Sequence, residues 1–330
     1  MSKPLIYDFD LEELQALLKS WGEPAYRATQ IWQGLYQQLW QQPEQFTSLS
    51  KGLRQRLEEH FSFSHLQAAS QLNSNDGETQ KTLFYLPDGR PIETVRMRYQ
   101  RRRTLCISTQ SGCAMGCVFC ATGQMGFLRN LSSGEIVEQV LYYARRLAEQ
   151  GEKVTNIVLM GMGEPFHNYE ASLAAIARLS HDQGLNLGAR RFTISTVGLV
   201  PAIRRFAAEN SQVNLAISLH AADDALRSSM LPINNRYPLA ELLAAVRDYV
   251  AATHRRVTFE WALIAGVNDT PEQAQRLAEL LDGLLAHVNV IPLNPTEGYA
   301  GRATSQERAR AFQAELESRG ISCTVRLRRG

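Results

Sequence analysis

Cys113, Cys117 and Cys120 place three thiols close together in the pattern C-x3-C-x2-C. Thiolates are soft ligands that suit zinc and iron–sulfur clusters. Three of them can hold three corners of a [4Fe–4S] cubane and leave the fourth iron open, and this is the chemistry that the spacing favours. A zinc site completed by His167 or His220 is the competing reading. Zinc is usually gripped by C-x2-C pairs, and the chain has no second pair. Phe119, between the last two cysteines, is placed to shield a cluster or to pack as an ordinary core aromatic.

Other polar residues gather at the ends of strand-like runs. Gly161-Met162-Gly163-Glu164-Pro165 closes the apolar run Ile157-Val158-Leu159-Met160. Its glycines, Gly163 among them, permit close backbone approach, and Glu164 can accept from a ligand's ammonium group. Ser195, Ser218, His220 and Asn294 end later runs. Singly, each reads as a polar residue satisfying strand-end backbone groups. Repeated at successive strand ends, they suit a ligand lying across the mouth of the sheet.

The elements that must position these residues are legible from Thr104 onward, where short β-rich runs alternate with helical patterns. Strands are expected over 104–108, 154–160, 191–196, 213–219, 257–264 and 288–293. Helices are expected over 133–149, 169–181, 199–209, 238–253, 271–286 and 304–319. That alternation implies an α/β fold with parallel strands, a partial (β/α)6 barrel, whose ligand-bearing loops follow the strands. Ser132 with Glu135 forms a capping box, and Asn168 and Ser305 are further helix-start signals. Ahead of this, Leu11, Leu14, Leu17 and Leu18 recur at helical spacing, as do Tyr26, Ile31, Leu35, Tyr36 and Trp40, and Leu53, Leu57 and Phe61. Residues 82–86 and 92–95 flank Pro87-Asp88-Gly89 as a β-hairpin. The expected division is a small N-terminal helical domain with this hairpin, residues 1–90, and a catalytic domain, residues 91–330.

The 330 residues are 44% hydrophobic and 21% charged, an ordinary soluble composition. There is no signal-like N-terminus and no long apolar span, so a cytoplasmic protein with no membrane association is expected. Five cysteines suit metal binding in a reducing compartment. A net charge of +2 does not by itself announce a nucleic-acid partner. The local clusters Arg96, Arg98, Arg101, Arg102 and Arg103, and Arg326, Arg328 and Arg329, shift the expectation toward phosphate contact.

The segment from Cys106 to Gly123 resembles the RlmN/Cfr family of radical S-adenosylmethionine RNA methyltransferases. The similarity continues through Gly161–Pro165, Phe192–Thr196, Ser218–Ala221 and Ile291–Pro295. It implies a radical-SAM barrel in which Cys113, Cys117 and Cys120 bind the cluster. Gly163, Glu164, Ser195, Ser218, Leu219, His220 and Asn294 then line the S-adenosyl-L-methionine site, Glu93 is a proton acceptor and Cys106 a catalytic thiol. It further implies an RNA substrate, ribosomal with transfer RNA as a second candidate, an external electron donor, and methylation at C2 or C8 of adenine. These carbons are poor nucleophiles, so the family first methylates a C-terminal cysteine and then makes a radical at that methyl group. Resolution of the adduct by the other thiol leaves a disulfide. A monomer is expected.

One departure stands out. In the family, the strand resembling Thr324–Gly330 is followed by a methyl-carrying cysteine, whereas this chain stops at Gly330. A lost C-terminus is the favoured explanation. Use of Cys323 as the second thiol, or loss of methylation, are the alternatives. The rival functions are a radical enzyme of another substrate class and a non-catalytic, zinc-stabilised RNA-binding protein.

Overall fold

The computed structural model describes residues 3–326, so the end of the C-terminal basic cluster, Arg328 and Arg329, lies outside the described residues. Its strands are β1 (Gln67–Asn73), β2 (Thr79–Tyr85), β3 (Pro91–Arg98), β4 (Arg103–Cys106), β5 (Gln110–Gly112), β6 (Phe127–Asn130), β7 (Asn156–Leu159), β8 (Phe192–Thr196), β9 (Asn214–Ser218), β10 (Val257–Leu263), β11 (Ala286–Pro292) and β12 (Cys323–Val325). The chain forms two compact units. One holds Met1–Ser111, Asn130–Gly161 and Asn168–Phe192; the other holds Gly112–Arg129, Met162–His167 and Thr193–Gly330.

In the first unit, three helices, Leu11–Ser20, Tyr26–Tyr36 and Lys51–His60, bury Leu11, Leu14 and Leu18, then Ile31, Leu35 and Tyr36, then Leu53 and Leu57, whereas Tyr26 of the expected pattern is exposed. Asp10 and Glu13 close a capping box at the start of the first helix. Strands β1 to β4 are antiparallel, and β4 runs parallel to β7. The expected hairpin is therefore part of a larger sheet. Its alternate residues Thr82, Phe84 and Thr94 pack on helix Ser133–Ala148, through Tyr143, Tyr142 and Gln139 respectively. The segment joining the N-terminal helices to this sheet is held by Glu138, which accepts from the Ser64 hydroxyl and from the His65 and Leu66 amides.

The second unit supplies β8 to β12, each parallel to the next. Among the described residues β12 pairs only with β11, so the run ends in an open edge and does not close into a barrel. Phe259, Trp261 and Leu263 of β10 are buried, and Trp261 meets Phe312 of helix Gln306–Ser318 at 5.7 Å between ring centroids. The alternate residues form a polar row along the register Ser218, Glu260, Asn289 and Thr324. None of the described helices is long and apolar enough to cross a membrane.

The expected elements recur with small shifts. The Ser132–Glu135 capping box is present, and Ser305 caps its helix. Asn168 does not cap: its amide donates instead to the Thr109 and Leu131 carbonyls, 2.8 Å each. The helix expected to reach 286 ends at Leu280, because Gly283 adopts φ +69° and β11 starts at Ala286. Helix Asp224–Met230, capped by Asp223, was not anticipated.

Candidate active site

The three cysteines lie on the loop between β5 and β6, and the turns that shape it are set by glycines. Gly112 has φ +72°, and a Cβ there would collide with the Gly126 carbonyl, which accepts from the Cys113 amide at 2.9 Å. A Cβ on Gly123 would stand 2.8 and 2.9 Å from the Cys117 backbone oxygen and nitrogen. The loop is tied elsewhere too. The Val118 amide donates to the Met230 carbonyl at 3.0 Å, and Gln124 Nε2 reaches both the Val118 carbonyl and Thr296 Oγ1. Met115, Cys117, Val118 and Phe119 pack against an apolar cluster of Val197, Ala221, Met230, Leu231, Ile264 and Leu293.

This donor set fits an iron–sulfur cluster. Burial pushes the Cys113 thiol up to about 11 and raises Cys117 as well, so without a metal both keep their protons. A thiophilic metal group displaces those protons and gains a water-poor, apolar wall on one side. Among the described residues no three His, Cys, Asp or Glu side chains converge on a single metal ion. A cubane asks less of the chain, since each thiolate binds a different iron. The histidines named for a zinc site are otherwise engaged: His220 Nδ1 accepts from the Ala262 amide at 2.9 Å, and His167 is exposed, with its ring against Phe127.

Four more of the expected site residues lie on neighbouring strand-end loops of the same unit. Gly163 has φ +100°, so a glycine is required there. Glu164 is buried: one carboxylate oxygen accepts from the Phe166 amide at 3.0 Å, the other from the Val197 amide at 2.9 Å. Burial raises its pKa to about 7 against the pull of those donors. Glu164 thus joins the loop after β7 to the loop after β8. Ser195 and Ser218 bring their hydroxyls within 3.4 Å of each other.

His220 combines three constraints. Its backbone is left-handed at φ +62°, its ring is neutral because burial drops its pKa to about 3, and its edge meets Phe119 at 5.0 Å. With Nδ1 accepting, the proton sits on Nε2. Leu219 is fully buried and donates its amide to the Glu260 carbonyl. Asn294 is exposed, on the loop after β11.

Glu93 and Cys106 belong to the first unit and share a sheet face: Cys106 pairs in register with Val95, two residues along from Glu93. Glu93 forms an ion pair with Lys81 at 3.0 Å, and its carbonyl accepts from Ser108 Oγ. Cys323 is buried beside Val288 in register, on the helix-packed side of β11 and β12 and opposite the row of Asn289 and Thr324. Burial pushes its thiol up to about 12. None of the five cysteines is joined to another. Sequence reasoning passed over Gly123 and Gln124, whose parts in the loop depend on contacts that no local pattern displays.

The comparisons agree with this architecture. Residues 107–281 match the family model for the Radical SAM superfamily, and residues 6–63 match the model for the ribosomal RNA large subunit methyltransferase N-terminal domain. A probable dual-specificity RNA methyltransferase RlmN of Chloroflexus aurantiacus is 52% identical over 100% of this chain and 90% of its own length. The chain belongs to the RlmN family. A second RlmN relative, a dual-specificity RNA methyltransferase of Myxococcus xanthus, is 49% identical over 98% of this chain and 90% of its own. The crystal structure of a radical SAM methyltransferase from Sphaerobacter thermophilus superposes with a TM-score of 0.97, at 52% identity, over 99% of this chain and 96% of that one. As a member of the RlmN family, this chain is a radical SAM RNA methyltransferase with a mixed α/β fold. The other substrate class and the zinc-stabilised binding protein are not favoured.

Proposed function

We propose that this enzyme transfers a methyl group from S-adenosyl-L-methionine to C2 or C8 of an adenine in large-subunit ribosomal RNA, and in transfer RNA, in the cytoplasm. The observation that carries this reading is the identity of 52% over the whole chain with a dual-specificity relative. Cys113, Cys117 and Cys120 hold the cluster, and Gly163, Glu164, Ser195, Ser218, Leu219, His220 and Asn294 bind S-adenosyl-L-methionine. Bound there with an external electron donor, these cofactors supply one-electron chemistry to an otherwise unreactive carbon. The chain's own residues do the rest. Phe119 and the apolar cluster behind the cysteine loop exclude water. Neutral His220 keeps that aromatic in place. Glu93 takes the proton leaving the adenine carbon, and Cys106 is the resolving thiol.

The test is anaerobic incubation of reconstituted enzyme with reductant, labelled S-adenosyl-L-methionine and either ribosomal or transfer RNA. Methylated adenosine in both RNAs is expected; cofactor cleavage with unmodified RNA overturns the reading. Cys323 is the described candidate for a second thiol, and its service as methyl carrier requires β12 to leave the sheet. A gain of about 14 Da on the Cys323 peptide, one CH2 in mass, would establish that role. An unmodified peptide in active enzyme removes it.

A further inference from the structure

Helix Asp224–Met230 carries Arg227, a wholly buried arginine that none of the assigned roles uses. Its Nε donates to the Leu219 carbonyl at 3.2 Å and its Nη1 to Asn234 Oδ1 at 2.8 Å. Its Nη2 donates to the Val197 carbonyl at 2.7 Å and to the Ser218 carbonyl at 3.4 Å. Every one of these acceptors is neutral. Among the described residues no carboxylate pairs with Arg227; Asp224 is reached only through Asn234, whose Nδ2 donates to Asp224 Oδ1 at 2.9 Å. A guanidinium needs an anion to offset its removal from water, and hydrogen bonds to carbonyls offset only part of that cost.

This helix is tied to the cysteine loop. The Met230 carbonyl, at the end of the same helix, accepts from the Val118 amide, and Cys117 and Val118 pack against the apolar cluster that contains Met230 and Leu231. Arg227 Nη2 donates to the carbonyl of Val197, which belongs to the apolar cluster against which Cys117 packs.

We propose that Arg227 is the fixed counter-charge of the anionic iron–thiolate group on the cysteine loop, and that its charge governs how firmly the cluster is retained and at what potential it is reduced. The proposal rests on the reading of Cys113, Cys117 and Cys120 as cluster ligands. Reduction adds a negative charge, so a buried cation beside the cluster favours the reduced form and raises the potential. Groups behind the direct ligands of a metal typically change its retention by on the order of 10–100-fold.

The experiment compares full-length, anaerobically reconstituted wild type with Arg227→Lys, Arg227→Gln and Arg227→Met. It measures iron and sulfide content, the half-life of the cluster against an iron chelator, the midpoint potential, and the thermal midpoint of the metal-free protein. Arg227→Lys is expected to keep a near wild-type potential. The two neutral variants are expected to lose the cluster at least about tenfold faster and to be reduced only at more negative potential. Ordering by hydrogen-bonding capacity, with glutamine close to wild type and lysine impaired, overturns the proposal and leaves Arg227 as a tie between loops. If the neutral variants do not fold, the lysine variant decides alone: a wild-type potential and chelator half-life support the charge, and loss of the cluster refutes it. A loaded wild type whose variants all match it sinks the Arg227 proposal and spares the ligand assignment. Wild type that takes up neither iron nor sulfide sinks both.

Discussion

His220 shows how one residue can be shaped by several demands at once. A left-handed backbone is uncommon outside glycine, and histidine is among the residues that adopt it more often; here its ring also closes a hydrogen bond and packs on Phe119. The buried ring is neutral in the folded chain, with its pKa near 3, and titrates near 6.5 when unfolded. Between those values the unfolded chain binds more protons, so stability is fully present above pH 6.5 and is lost as pH falls toward 3. Thermal or denaturant unfolding should show a slope of at most about 1.4 kcal/mol per pH unit from this group below pH 6.5. His220→Asn, which suits the backbone angle and still offers an acceptor, should flatten that slope. Gly123 makes a second prediction. A methyl group there meets the Cys117 backbone, not a movable side chain. Gly123→Ala should therefore lower iron bound per chain by roughly tenfold while the far-ultraviolet circular dichroism stays unchanged. The cysteines could be read directly because their spacing is local. Gly123 and Arg227 could not: the first depends on how the cysteine loop folds back on itself, the second on segments as far apart as Val197.

Among the elements, helix Ser133–Ala148 does more than cover the sheet. Gln139 is fully buried. Its oxygen accepts from the Ser108 amide and from Thr94 Oγ1, and its nitrogen donates to the Ser108 carbonyl. One amide thus fixes the backbone just past Cys106 and a residue adjacent to Glu93. Gln139→Leu leaves both backbone groups of Ser108 without that partner and should cost on the order of 3 kcal/mol, measured by urea unfolding. The helices and parallel strands were readable because burial on one face or both imposes a period. β1 was not: all seven of its residues are exposed, so Gln67–Asn73 carries no alternation, and its strand character comes from pairing with β2. Helix Asp224–Met230 escaped for a related reason, being too short for periodicity to register.

At the level of the whole molecule, the arginine cluster ahead of the cysteines is only partly available to phosphate. Arg98 and Arg103 both bind Glu152 at 2.6 Å, and those two cations hold its carboxyl down at about 2. Arg101 and Arg102 remain exposed, with Arg102 stacked on Tyr99. Arg101→Gln with Arg102→Gln should weaken RNA binding and reduce the slope of log affinity against log salt by roughly 0.7 for each phosphate no longer neutralised on single-stranded RNA, as a gel-shift series would record. Arg98→Gln should change that slope less. The anchoring of the cysteine loop carries a different consequence, for how much of the chain a bound group must order. The Cys113 and Val118 amides donate to Gly126 and Met230, Gln124 Nε2 donates to Val118 and Thr296, and the loop's apolar residues are packed. In zinc fingers the metal must gather a disordered chain. Here the loop is held by hydrogen bonds and apolar packing that involve no metal, so ligand binding has less chain to order than in a zinc finger.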